Sequence, residues 1–266
     1  MTDGDKASFR KATHCHLCNK PLYNEEKRVY NKVRDHCDIT RKYRGAAHNS
    51  CNLQLRFGNV IQVVSHNLRG YDSHLIMQAI SQVDGEITCI PNNMEKYISF
   101  SLIKKKKLEK AKKKSKNRSF RQELQFIDSA QFMLSSLDKL VDATPNENME
   151  MTAMYETDPE KRVLLLRKGV YPYEYVDDWE RFDESCLPPK DVFYSTLTDS
   201  HTSDEDYKHG KAVWEVFSCA TLGDYHDLYL RTDVLLLADV FENFRCMCLN
   251  QYKLDPAHYY SSPGLS

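Results

Sequence analysis

The spacing of apolar and polar residues along the chain changes near residue 58 and again near residue 140. Between these points, short apolar runs of strand character alternate with polar stretches. These runs are VIQVVS from Val60, EITCI from Glu86, KYISFSL from Lys96 and ELQFIDS from Glu123. The run SHLIMQAI from Ser73 has helical spacing instead. This order predicts a mixed α/β layer over the middle of the chain.

The residues after 140 favour helices, which follow a polar connector at 143–162 with few residues to pack. One helix is predicted to open at Ser203, whose hydroxyl suits an N-cap and is followed by three acidic residues. A longer helix is predicted to open at Thr221 and to run to about residue 248, because its apolar residues recur at helical spacing.

Residues 1–57 are rich in Cys, His and basic residues and have little apolar periodicity, so something other than a core must hold them. Two short motifs indicate that a metal ion holds this region together. CHLC contains Cys15 and Cys18, which we call the first knuckle, and HNSC contains His48 and Cys51, the second knuckle. Two such pairs match the four tetrahedral ligands of structural zinc, which would supply folding free energy. Alternative ligands nearby are His14, His16 and Cys37.

The composition is that of a soluble globular protein, with 41% hydrophobic and 28% charged residues among 266. Nine cysteines without a secretory signal argue against a disulfide framework and predict an intracellular protein, and no apolar run is long enough to span a membrane. A lysine-rich run from Lys104 to Arg121 lies between the last two predicted strands. It indicates either a polyanion partner or a solvated hairpin connection.

The segment VRDHCDITRKYRGAAHNSCN, which ends in the second knuckle, resembles the recombination endonuclease VII type of ββα-metal nuclease. This resemblance implies zinc at the two knuckles. It also implies a catalytic divalent cation held by Asp35 and Asn52, with His36 as the base that activates water. The chain departs from the family at positions 37, 38 and 55, where Cys, Asp and Leu stand in place of Asp, His and Glu. A structural or DNA-gripping module is therefore expected rather than a cutting one.

A longer resemblance covers roughly residues 15–266. The phrases that carry it, in order, are KYRGAAHNSCN, SHNLRGYDSHLI, IPNNMEKYISFSL, FIDSAQFM, LLRKGVYPYEY, TLGDYHDLYLRTDVLLLADVFENF and LDPAHYYSSPGLS. They resemble the amino-terminal part of protein-primed family B DNA polymerases of virus-like mobile elements. The implied fold is α/β: an RNase H-like 3′–5′ exonuclease domain at 58–266, preceded by an N-terminal zinc-stabilised ββα module at 1–57.

This second resemblance implies roles for several residues, each of which taken singly is more typical of a turn or an exposed helix position. Asp72 and Asp233 would bind catalytic Mg²⁺ or Mn²⁺, and Tyr229, one helical turn before Asp233, would orient the attacking water. The residues implied to contact single-stranded DNA are His66, Asn67, Tyr71, Ser136, Leu137 and Lys168.

Parts of the family's pattern are missing. No Asp-x-Glu pair in a strand-like context precedes Asn67, the polymerase palm motifs are absent, and the resemblance does not make Asp128 a ligand. The expected protein is an exonuclease-region fragment of a DNA-directed DNA polymerase, truncated at both ends, that acts in DNA replication and binds single-stranded 3′ ends with weak or absent hydrolysis. A protein primer is a further expected partner of the full-length polymerase. The alternatives are a ββα-metal (HNH-like) DNA endonuclease and a non-catalytic zinc-dependent DNA-binding protein.

Overall fold

A computed structural model describes residues 2–24, 29–30, 32–36, 42–54, 60–70, 72–93, 96–107, 119–196 and 199–265. The chain separates into two units, Met1–Asn59 and Val60–Ser266.

The first unit has short elements and a small core. Its helices are α1 (Asp3–Lys11) and α2 (Asn49–Gln54), and its strands are β1 (Tyr23–Asn24), β2 (Val29–Tyr30), β3 (Val33–His36) and β4 (Tyr43–Ala47). Strand β1 pairs with β2, and β3 pairs with β4, both antiparallel. The buried apolar cluster consists of four residues, two of them alanines: Cys15, Leu22, Ala46 and Ala47. So small a core stabilises the unit weakly without a further cross-link.

The second unit begins with a mixed four-stranded sheet. Its strands are β5 (Val60–Ser65), β6 (Glu86–Pro91), β7 (Tyr97–Lys107) and β8 (Ser119–Asp128), and α3 (Asp72–Ile80) follows β5. The order is β5-β8-β7-β6, with β5 parallel to β8 and the other pairs antiparallel. Successive residues of β8 face opposite sides, so Phe126 packs with Leu68 and Phe100, whereas Ile127 packs with Phe241. The sheet is therefore covered on both faces.

The remaining helices are α4 (Leu137–Asp142), α5 (Glu150–Tyr155), α6 (Pro159–Leu165), α7 (Asp204–Val216), α8 (Leu222–Tyr252) and α9 (Ser262–Leu265). The two predicted N-caps are confirmed. The Ser203 hydroxyl accepts a hydrogen bond from the Asp206 N–H at 3.0 Å, and Thr221 forms a capping box with Asp224. Helix α8 extends to Tyr252, slightly beyond its predicted end.

The predicted connector at 143–162 is wrong, because this stretch contains α5 and the start of α6. Met149 is 1% exposed and packs against Leu236 and Val240 of α8. The helices here are too short to produce a readable apolar period, and their stability comes from packing on α8 rather than from their own propensity.

In the part of the chain that the structure describes, no helix is both long enough and apolar enough to cross a membrane.

Candidate metal centre and nucleic-acid site

The two knuckles meet in the first unit and form a single cluster. The three sulfur atoms of Cys15, Cys18 and Cys51 and one ring nitrogen of His48 all lie within 4.8 Å of one another. The first knuckle lies in a turn after α1, and the second lies at the junction of β4 and α2. Of the alternative ligands, His14 contacts Thr13, His16 contacts Asp35, and Cys37 lies outside the described residues.

The spacing of these atoms fits zinc. Cys18 Sγ and Cys51 Sγ lie 3.5 Å and 3.7 Å from His48 Nδ1. Tetrahedral zinc with bonds of about 2.3 Å to sulfur and about 2.0 Å to nitrogen separates sulfur from nitrogen by about 3.5 Å. These two distances therefore fit a tetrahedral zinc site, and the whole cluster is compact enough to hold one ion.

Neighbouring backbone groups orient the His48 ring and favour the thiolate of Cys15, and the Pro21 carbonyl also raises the pKa of His48. His48 Nε2 lies 2.9 Å from the carbonyl oxygen of Pro21, which can only accept, so Nε2–H donates and Nδ1 keeps a lone pair for metal. Burial opposes ionisation of the Cys15 thiol, but N–H groups of Cys18, His48 and Leu17 outweigh it and lower the pKa of Cys15 to about 6. Thiolate and neutral imidazole are the forms that bind zinc.

The residues predicted for an endonuclease cation are not arranged as a metal site. Asp35 is 1% exposed, and its carboxylate accepts from Arg44 Nε at 3.0 Å and lies 2.9 Å from His16 Nε2. His36 packs edge-on against Tyr43, and Asn52 lies within α2. Among the described His, Cys, Asp and Glu side chains, the Cys₃His cluster is the only group of three or more that could hold a metal ion. Asp35 as a cation ligand stays a prediction, and the contacts of its carboxylate with Arg44 and His16 weigh against it.

The stretch at 65–72 forms the turn between β5 and α3. Asn67 adopts a left-handed conformation with φ 61° and is exposed, and Asp72 is exposed in the first turn of α3. His66 is held internally: Nδ1 lies 3.0 Å from Ser129 Oγ and Nε2 lies 2.9 Å from the Ser135 carbonyl oxygen. His66 thus ties β5 to the segment before α4, and among the described residues of this turn Asn67 and Asp72 have exposed side chains. Tyr71 lies outside the described residues.

Two separate sequence motifs predicted three residues that come together in the structure. These are Lys168, which follows α6, and Tyr229 and Asp233 on the amino-terminal half of α8. Lys168 Nζ lies 3.9 Å from Asp233 Oδ2. The ring of Tyr229 lies directly against Gly169, where an added Cβ would be 3.3 Å away. Lys168 also lines a cleft of about 510 Å³ with Asp138 and Asp142 of α4.

The environment of Asp233 is unusual for a carboxylate. Burial raises the pKa of Asp233, and the Lys168 ammonium and a hydrogen bond from Tyr229 offset this only partly. Its Oδ1 is buried and finds no hydrogen-bond partner within the described residues. A buried carboxylate oxygen without a donor is costly for folding and is typical of a functional site.

Ser136 and Leu137, the other predicted DNA contacts at the start of α4, differ in exposure. Ser136 is exposed at the N-cap of α4, and its side chain makes no capping hydrogen bond, so the hydroxyl is available to a ligand. Leu137 is 9% exposed and packs with Val141 and Leu236. The DNA contact at Leu137 stays a prediction, and the packing of this side chain between α4 and α8 weighs against it.

Sequence reasoning did not predict that Tyr171 and Tyr173 contact Tyr229. Tyr173 is 64% exposed, and its hydroxyl lies 2.6 Å from that of Tyr229, whose ring also stacks on Tyr171 at 4.9 Å. The repeated tyrosines after Lys168 were the available signal, but their contacts with α8 depend on the fold.

Asp128, which is fully buried, accepts hydrogen bonds from the N–H groups of Arg69 and Ala130 and so stabilises two turns.

Comparison with protein-family models, curated proteins and solved structures finds no match to this chain.

Proposed function

We propose that this chain is the exonuclease region of a protein-primed family B DNA polymerase, with an RNase H-like second unit, and that it binds single-stranded DNA with weak or absent hydrolysis. The observation that carries the proposal is the meeting of Lys168, Tyr229 and Asp233. The sequence resemblance assigned these residues from two motifs more than fifty positions apart, and Lys168 lies 3.9 Å from Asp233.

The side chains of Lys168, Tyr229 and Asp233 suit binding of the phosphodiester at the end of a DNA strand. An ammonium group contacts phosphate as a point charge, a buried carboxylate binds a divalent cation, and a tyrosine hydroxyl orients water. Exposed Asn67 and Ser136 add neutral hydrogen-bonding groups. Mg²⁺ or Mn²⁺ would be held by Asp233 and Asp72 and would supply Lewis-acid activation.

We expect weak hydrolysis because the proposed site has few carboxylates to hold catalytic cations. Two-metal hydrolysis needs several carboxylates to hold ions about 4 Å apart. Within the described residues, neither Asp72 nor Asp233 belongs to a group of three potential metal ligands. The proposed role is therefore binding of a DNA strand, with little turnover.

The first unit is proposed to bind zinc and to add electrostatic affinity for DNA. Residues 1–59 contain about twice as many Lys and Arg as Asp and Glu. The β7–β8 hairpin adds exposed Lys104 and Lys105, whereas 108–118 lie outside the described residues. The ion pairs of Asp35 weigh against the endonuclease alternative.

The test uses 5′-labelled single-stranded DNA incubated with the full chain and Mg²⁺ or Mn²⁺. We expect an intact band on a sequencing gel and a retarded band on a native gel. The retardation should weaken as salt rises, and it should weaken at a given salt concentration when Lys168 is replaced by Ala. Lys208→Ala, which removes the same charge at an exposed position on α7, is the matched control and should bind more like the wild type than Lys168→Ala does.

A ladder that shortens from the 3′ end and is lost in Asp72→Ala would overturn the expectation of weak hydrolysis. DNA that migrates unretarded at low salt would overturn the proposed function itself. Nicking of closed circular DNA that is lost in His36→Ala would establish the endonuclease alternative instead.

A further inference from the structure

His16, which lies inside the first knuckle, anchors that knuckle to the β3–β4 hairpin in three ways. Its backbone N–H donates to the Ala46 carbonyl oxygen at 2.9 Å. Its ring Nε2 lies 2.9 Å from Asp35 Oδ2. Its ring also covers Gly45 so closely that a Cβ there would lie 2.6 Å from a ring carbon. One residue between two metal ligands therefore contacts both strands of the hairpin.

Asp35 is the centre of this anchor. Its side chain is 1% exposed, and Arg44 contacts both carboxylate oxygens, through Nε at 3.0 Å to one and through a terminal nitrogen to the other. Two-point guanidinium contacts combine charge with fixed geometry. In the β3–β4 ladder Asp35 lies opposite Gly45, so the carboxylate and the ring of His16 meet where the hairpin has no side chain to obstruct them.

The hairpin also carries the other half of the metal cluster. Strand β4 ends at Ala47, and the next residue, His48, begins the second knuckle. The first knuckle is more than twenty positions earlier in the chain, so only tertiary contacts can set its distance from the second. In the folded unit the contacts through His16 help to set that distance. Contacts that stabilise the arrangement with the ligands in position also tighten metal binding, because metal binding is coupled to folding.

We propose that Asp35, with His16 and Arg44, positions the two knuckles for zinc and is not a ligand of a second, catalytic cation. This inference rests on the zinc-binding part of the proposed function and does not depend on DNA binding or hydrolysis. Asp35 acts through His16 and touches no metal ligand directly.

The test measures zinc affinity of the full chain by competition with a chromogenic chelator. Asp35→Asn should weaken zinc binding by up to about 10-fold, at or below the lower end of the effect of losing a group that contacts a metal ligand directly. The Co²⁺-substituted variant should keep the tetrahedral absorption spectrum of the wild type, because the ligands are unchanged. Asp3→Asn is the matched control, because its side chain is 97% exposed, and it should bind zinc like the wild type.

Gly45→Ala provides an independent variant that changes no charge. Its new Cβ would displace the His16 ring, and it should weaken zinc binding without altering the Co²⁺ spectrum. Wild-type zinc affinity in both variants would overturn the proposal. So would loss of Mn²⁺ binding in Asp35→Asn with zinc affinity unchanged, which would make Asp35 a cation ligand. A wild-type chain that binds no zinc would overturn the site together with the proposal, whatever the DNA assays show.

Discussion

Four aspartates of this chain show how different the environments of one residue type can be. Asp35 pairs with a guanidinium and an imidazole, and Asp128 accepts backbone N–H groups at two turns. Asp72 is exposed at the start of a helix. Asp233 is half-buried, and its Oδ1 has no hydrogen-bond partner within the described residues. Burial of the carboxylate raises the pKa of Asp233.

The raised pKa of Asp233 has a consequence for stability. Below the ordinary aspartate pKa the group is protonated in both the folded and the unfolded state. As pH rises through the ordinary value toward the raised folded value, the unfolded chain ionises first, so stability falls over that window. Asp233→Asn should therefore raise the melting temperature at neutral pH, and the difference should vanish at acid pH. Melting curves recorded across pH measure this.

Asp227→Asn, on the exposed face of the same helix, is the control and should leave the melting temperature unchanged. If Asp233→Asn were less stable at neutral pH, the attraction between Asp233 and Lys168 would outweigh the cost of burial.

At the scale of elements, α8 organises the second unit. This helix of 31 residues carries the candidate site on its amino-terminal half and the apolar residues Leu236, Val240 and Phe241 farther along. It also holds α5, whose own N-cap, Met149, provides no side-chain cap. Asp239 supplies the missing acceptor from α8. Its carboxylate accepts from Met151 N–H at 2.6 Å, from Thr152 N–H at 3.0 Å and from the Thr152 hydroxyl at 2.7 Å.

Replacement of Asp239 by Ala should destabilise the second unit by about 2–3 kcal/mol, because it removes a helix cap and leaves buried donors unpaired. Urea denaturation measures the change. Asp227→Ala makes the same substitution at an exposed position of α8 and should cost less than about 0.5 kcal/mol. Equal stability of the two variants would show that α5 does not depend on this cap.

At the scale of the molecule, the two units differ in what stabilises them. The second unit has buried clusters on both faces of its sheet and along α8. In the described part of the first unit the buried apolar cluster has only four residues, one of which, Cys15, also belongs to the metal cluster. Their charges differ as well, since basic residues predominate in 1–59 and acidic residues in 60–266. We therefore expect the units to respond differently to loss of metal.

Removal of zinc with a strong chelator should unfold the first unit and leave the second folded, because metal binding provides most of the folding free energy of so small a core. Limited proteolysis should then cut within residues 1–59 and spare 60–266, and added zinc should restore protection. Protection of residues 1–59 in the absence of metal would contradict this expectation.

Several features were predictable because they depend on short-range spacing. The apolar runs VIQVVS and ELQFIDS became β5 and β8, and Ser203 and Thr221 became N-caps. The burial of Leu137 and the helices within 143–162 were not predictable from short-range spacing. An apolar residue that starts a short helix has the same local pattern whether it packs on a neighbour or faces solvent, and packing against α8 decided both cases.

The sequence by itself indicated the two knuckles, the strands of the second unit and the starts of α7 and α8, because each is encoded within a few consecutive residues. The structure brought Cys15, Cys18, His48 and Cys51 together as one cluster. Only the tertiary structure decided that Asp35 is an ion-pair partner and that Lys168 lies beside Asp233. The physical reason is that burial, ion pairing and pKa depend on which residues distant in the chain become neighbours, and local spacing carries no information about that.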